Sequence, residues 1–327
     1  MRVSGFAICA FALLECLAVQ AKDKSDLTEH YVLGPVRVFY TLKGESAVPD
    51  ADLDGNNIPD RIENVARQVW AAKEMFCEVL NYPDPLESDR YPAVNCIQVS
   101  IRGKDRIKGL NGVAYRKAQK ARSIPEGKEG DRTIVMAVAN TVDPTRNLTP
   151  AHEMFHLIQY GTTYFGNRWY LEGMARWSER ALGKGGIGKS AISGPKSKWP
   201  QNPETRKKLY GMTYEANLLV WNPIAQLTDP DGTILADRIP ESLRDLKYTT
   251  GEAVLKDELL NGAPLMQEIL MELSKLDDRK QKDFNQEAWT LEEQNSPNND
   301  PYIYEAIMNV LRRHIGTVGD FQAGKKQ

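Results

Sequence analysis

Thr149-Pro150-Ala151-His152-Glu153-Met154-Phe155-His156-Leu157-Ile158-Gln159 is the stretch from which the rest of the chain is read. Residues four apart on a helix share a face, so a helix over 150–161 brings the imidazoles of His152 and His156 side by side. Local chemistry favours that helix. Thr149 carries the hydroxyl of an N-cap, Pro150 suits the first turn, and Leu157 and Ile158 continue the apolar pattern. Two imidazoles on one face can hold one metal ion, and Glu153, next to the first, can reach a water on that ion as its base. Histidines at this spacing also arise by chance and serve as hydrogen-bonding groups, so a third ligand is the deciding observation.

Catalytic zinc takes three protein ligands and keeps one position open. The segment Trp169-Tyr170-Leu171-Glu172-Gly173-Met174-Ala175-Arg176-Trp177-Ser178-Glu179 supplies the candidate, Glu172, in a second helix expected over about 168–182. Leu171, Met174 and Trp177 around it are poor company for an ordinary solvated carboxylate, and the small Gly173 and Ala175 would let this helix approach the first closely. The expected centre is therefore His152, His156 and Glu172 on zinc, with Glu153 as base.

These two segments together resemble the gluzincin metallopeptidases, in a secreted bacterial branch with a zincin catalytic domain. The resemblance runs from about residue 31 to 225 and is closest over 149–179. It implies a zincin-like α+β fold and zinc-dependent hydrolysis of peptide bonds in an extended protein or peptide substrate. It also points to a tyrosine downstream, and Tyr214 is the candidate donor to the oxyanion formed during hydrolysis. The chain departs from the family at Arg176, where an acidic residue often orients a zinc histidine; Glu179, near the same face, is the replacement candidate. A strand at 112–115 or at 133–138 is the candidate cleft edge for pairing with an extended peptide.

A second motif lies upstream. Asp52-Leu53-Asp54-Gly55-Asn56-Asn57-Ile58-Pro59-Asp60-Arg61-Ile62-Glu63 has calcium-loop spacing, with oxygen donors at positions 1, 3, 5 and 9 from Asp52, Asp54, Asn56 and Asp60. The Ile58 carbonyl falls at position 7 and Glu63 at position 12. Asn57 replaces the glycine usual at position 6, which asparagine tolerates because it enters the left-handed region readily. The expectation is a structural Ca2+ site, against an acidic turn that merely caps the following helix.

The sequence has 327 residues, with 42 Lys and Arg against 44 Asp and Glu, a balance that offers no basic stripe for nucleic acid. Its first 21 residues have the order of a secretory signal peptide, an apolar run to Val19 followed by Gln20-Ala21 and the charged Lys22-Asp23-Lys24. The expected organisation is a leader at 1–21 and a single catalytic unit at 22–327, strand-rich over about 31–148 and helical over about 149–327, working in a secreted or periplasmic location with no stable membrane span. Cys77 and Cys96 remain after the leader and are expected to pair as a helix-to-sheet disulfide. Further helices are expected at 211–222, 250–260, 264–276 and 301–314, and a loop at 183–207.

Gly183 to Ser190 spells a phosphate loop, but it follows a helix and opens none, so no nucleotide is expected. Two competing functions stay open at this point: the same chemistry restricted to a small peptide or amide, and a noncatalytic calcium-dependent extracellular binding protein on a protease-like scaffold. Retention of Glu153 beside His152 argues for catalysis, because binding alone needs no base there.

Overall fold

Short runs rich in β-branched and other apolar residues in the first half of the chain build one sheet, its central strands buried on nearly every residue. In the computed structural model, which describes residues 26–128, 130–184, 186–187, 199–200, 202–283 and 289–315, its strands are β1 (Glu29–Leu33), β2 (Val36–Tyr40), β3 (Val94–Arg102), β4 (Gly112–Ala114), β5 (Gln119–Lys120) and β6 (Arg132–Ala139). Their order is β1-β2-β3-β6-β4, with β5 also paired to β6. The central strands β2, β3 and β6 run parallel, while β1, β4 and β5 are antiparallel to their neighbours. Parallel β2 and β3 require a crossover, and helix α1 (Asp60–Lys73) provides it. A π-helical turn over Glu74–Val79 extends α1, and the chain leaves it at Asn81, with φ 57°, ahead of Pro83.

Alternation along β2 and β3 separates two apolar surfaces. Val36, Val38, Ile97, Val99 and Ile101 join the main core with Ile62, Val65 and Val69 of α1. Phe39 points the other way, into a small second cluster with Leu27 and Ile124. This pleat overturns the expected disulfide: Cys77 and Cys96 are both free and buried. Cys77 lies in the main core beyond α1, with Sγ 3.9 Å from the Pro83 carbonyl. Cys96 precedes the core-facing Ile97 and so turns to the opposite face, where its thiol lies 3.5 Å from the Arg132 carbonyl.

The second half is helical, so the architecture is mixed α+β. Helices α2 (Thr149–Thr162) and α3 (Arg168–Ser178) come first, the latter extended by a 3-10 turn over Glu179–Ala181. Then follow α4 (Pro203–Tyr210), a π turn over Asn217–Trp221 leading into α5 (Asn222–Thr228), α6 (Glu241–Arg244), α7 (Ala263–Asp283), α8 (Leu291–Gln294) and α9 (Asp300–Ile315). Helix α2 is wedged among α1, α3, β4 and β6, which leaves its histidines and Glu153 almost without solvent contact. Among the described residues no helix is long and apolar enough to cross a membrane.

Four local expectations change. No helix forms at 250–260: Gly251 takes φ 84°, and the segment makes isolated bridges, Lys247 to Ala253 and Leu259 to Thr233. Within the expected loop at 183–207, α4 forms because Asn202 and Thr205 cap each other's backbone N–H. Thr149 lies inside α2 instead of capping it; Asn147 Oδ1 accepts its N–H and hydroxyl at 2.9 and 2.7 Å. Gly173 serves a different neighbour from the one expected, since a Cβ there would lie 2.5 Å from Trp221 Nε1 and 3.0 Å from the Ala216 Cβ. The expected leader, and part of the glycine-rich 183–190 stretch, lie outside the described residues.

Candidate metal centre

Helix α2 sets His152 and His156 one turn apart, with ring centroids 4.7 Å apart and planes at 87°. The short connection 163–167 returns the chain so that α3 delivers Glu172 to both rings. His152 Nε2 lies 3.3 Å from Glu172 Oε2, and His156 Nε2 lies 3.5 Å from the same oxygen. Ligand atoms of these three residues come within 4.8 Å of one another, a spacing that one ion can bridge. This is the one such group of His, Cys, Asp and Glu among the described residues.

The far side of each ring is also occupied. His152 Nδ1 lies 3.0 Å from Glu179 Oε1, and the other oxygen of Glu179 accepts from Arg176 Nη1 at 2.6 Å. His156 Nδ1 lies 2.7 Å from Gln159 Oε1. Gln159 is held in turn by donating its amide N–H to the Leu171 carbonyl at 3.2 Å, which fixes which end of the amide faces His156. Glu179 and Gln159 occupy the Nδ1 side of the two rings, which turns both Nε2 atoms toward the shared centre. Sequence reasoning reached Glu179 but missed Gln159, although its place three residues after His156 on the same face was a usable signal.

Electrostatics tie the group together. Burial would lower the pKa of His152, but its bonds to Glu172 and Glu179 and the nearby Glu153 charge outweigh that and push it up to about 10. Burial opposes ionisation of Glu172 as well, yet the two imidazoles hold its carboxyl well below the usual range. Glu153 is buried, and burial raises its carboxyl despite both histidines and an N–H from Ala114 of β4. β4 passes so close that a Cβ on Gly112 would lie 2.7 Å from Glu153 Oε1 and 2.5 Å from Thr149 Cγ2. Only glycine lets this strand lie against the helix at that point.

Tyr214 borders the same centre, its ring 5.8 Å from that of His152 and 45% exposed. Burial of its other half, with the Glu172 and Glu153 charges, pushes its phenol up to about 12. Tyr160 stacks on His156 at 5.8 Å and carries the Arg116 guanidinium 4.6 Å above its face. Arg168 reaches within 3.6 Å of Glu172 Oε1 from the solvent side.

The upstream loop folds on its own side chains. Asp52 accepts the N–H groups of Gly55, Asn56 and Asn57 at 2.9, 3.3 and 2.8 Å, and Asn57 takes φ 68°. Asp54 Oδ1 accepts from Asn56 N at 3.2 Å, Asn56 Oδ1 from Ile58 N at 2.8 Å, and Asp60 Oδ1 from Leu53 N at 3.1 Å. Its carboxylates do not meet in a second group like that of the histidines.

Comparison of the chain with protein-family models, with curated proteins and with solved structures finds no match. The gluzincin resemblance is corrected on the ligand set itself: the interval between His156 and Glu172, set by the short 163–167 connection, does not match the spacing of that family's motif. What stands is a mixed α+β fold with a buried two-histidine, one-glutamate cluster able to coordinate a divalent metal ion.

Proposed function

We propose that this chain is a zinc-dependent hydrolase of peptide bonds. One observation carries the reading: Nε2 of both histidines faces a single oxygen of Glu172, while both Nδ1 atoms are taken up by Glu179 and Gln159. Two imidazoles and one carboxylate are a donor set suited to catalytic zinc, with a fourth position left for water or substrate. A divalent ion held there supplies Lewis acidity, lowering the pKa of a water and polarising a carbonyl.

The chain's own residues do the rest. Glu153 accepts the proton of the attacking water and passes it to the leaving amine, and its burial-raised pKa suits a carboxylate that must hold that proton between the two transfers. Tyr214 stays protonated over the physiological range and donates its O–H toward the developing oxyanion. β4, last in the sheet order, aligns an extended peptide by backbone pairing, with Ala114 N–H holding Glu153 in place.

The test compares zinc content and cleavage of an unfolded protein mixture for the wild type and Glu153→Gln. Wild type should carry one zinc per chain and cleave the mixture, and the variant should keep the zinc and lose cleavage. A folded preparation without zinc overturns the reading, and zinc without Glu153-dependent proteolysis leaves only a restricted-substrate enzyme or a binding protein. Export rests on the leader-like residues 1–21, and a secreted product whose N-terminus is Lys22 is the expected result.

A further inference from the structure

The loop before α1 contains a feature that its internal hydrogen bonds leave unexplained. Glu63, on the first turn of α1, has a side chain only 3% exposed. One of its oxygens pairs with Arg67 Nη2 at 2.9 Å, and the other, Oε2, is buried with no hydrogen-bond partner. A buried carboxylate oxygen without a partner is costly, so it signals a missing counterpart. The charges of Asp54 and Asp60 and the Asn56 side chain act on Glu63, besides Arg67 on its own helix. Asp54, Asp60, the Asn56 amide and Glu63 with its unpartnered oxygen are thus gathered about the start of one helix, with Arg67 beside them; the carboxylates do not already meet in a ligand group, so a cation would have to draw them in.

We propose that this loop binds one calcium ion, using oxygens of Asp52, Asp54, Asn56, Asp60 and Glu63 with the Ile58 carbonyl, and that the ion braces the helix carrying the histidines. An all-oxygen set of mixed carboxylate, amide and carbonyl suits a hard cation of calcium's size. Carboxylate oxygens that already accept an N–H keep a further lone pair for a cation. The bracing follows from α1. Arg61, two residues before Glu63, donates to the Asn140 and Val142 carbonyls at 3.1 and 2.9 Å. Two turns further along the same face, Gln68 donates to the Pro144 and Asn147 carbonyls at 2.7 and 3.2 Å and accepts the Ala151 N–H at 3.2 Å. α1 therefore holds the whole β6-to-α2 connection and the first turn of α2, immediately before His152. Fixing the start of α1 fixes that connection.

Calorimetric titration of the full chain with Ca2+, paired with hydrogen exchange at 140–151, tests both parts, and neither readout depends on what the histidine cluster does. One calcium per chain is expected, with slower exchange at 140–151; at about 100 times the dissociation constant the folded-to-unfolded ratio rises about 100-fold. Asp54→Asn, at an exposed position, and Glu63→Gln should each weaken binding about tenfold or more, with circular dichroism in chelator unchanged for Asp54→Asn. No binding at about 10 mM calcium, above the millimolar affinities of weak extracellular sites, overturns the site. Binding that survives both substitutions overturns the residue assignment, and binding without slower exchange at 140–151 overturns the bracing.

Discussion

Glu179 joins His152 to Arg176: one oxygen lies 3.0 Å from His152 Nδ1 and the other accepts from Arg176 Nη1 at 2.6 Å. The arginine that stands where an acidic residue was expected is thus part of the same device, since it orients the carboxylate that orients the histidine. Glu179→Ala should lower zinc affinity about 10- to 100-fold, with Glu179→Gln less affected because the amide oxygen still accepts from Nδ1–H. Competition with a chromogenic chelator measures this. Equal affinity in wild type and the alanine variant would mean that the bond does not position the ring.

Tyr214 is half exposed, so its hydroxyl can be removed with little effect on the core. Tyr214→Phe should keep its zinc and its melting temperature while kcat falls about 100-fold, with KM nearly unchanged, as for loss of one oxyanion donor. A drop of less than threefold would remove Tyr214 from the chemistry.

Gly173 stands next to Glu172 on α3, and Trp221 closes over it. Gly173→Ala places a methyl 2.5 Å from Trp221 Nε1 and 2.7 Å from Cδ1. Both the indole and α3 are buried and have no room to yield, so the variant should lose about 1–3 kcal/mol of stability, outweighing the helix propensity that alanine adds. Urea denaturation reads the loss, and a variant more stable than wild type would show that the Trp221 contact is slack.

Asp277 of α7 is wholly buried, accepting from Arg90 Nη2 at 2.8 Å and from the Tyr164 N–H at 2.5 Å. Burial wins over these partners and raises its carboxyl to about 7. Between the unfolded value of about 4 and that value, the folded chain keeps a proton that the unfolded chain has released, so this group's contribution to stability falls as pH rises through the window and is level above it. Asp277→Asn should be less stable overall, because Arg90 is left with only the more distant carboxylate of Asp278, at 3.6 Å, yet lose less further stability from about pH 4.5 to about pH 7.5. Urea midpoints across that range decide it; a steeper decline in the variant than in wild type would reverse the sign assigned here.

The sequence by itself determined the elements that rest on local chemistry. β-Branched and other apolar residues marked β2, β3 and β6 as strands, and the four-residue spacing of His152 and His156 put both rings on one face of α2 wherever that helix packs. Glu172 was legible because its apolar neighbours are wrong for a surface carboxylate, and the left-handed Asn57 because few residues enter that region readily. Tertiary structure decided what depends on residues far apart in the chain. The pleat of β3 turned Cys96 away from the face where Cys77 lies, Trp221 claimed the space above Gly173, and Gln159 became a partner of His156 once the Leu171 carbonyl fixed its amide. The length of the 163–167 connection separated this centre from the family its residues resemble. Helical and strand periodicities follow from backbone geometry alone, whereas packing partners follow from which surfaces the whole chain buries together, and no local pattern encodes that.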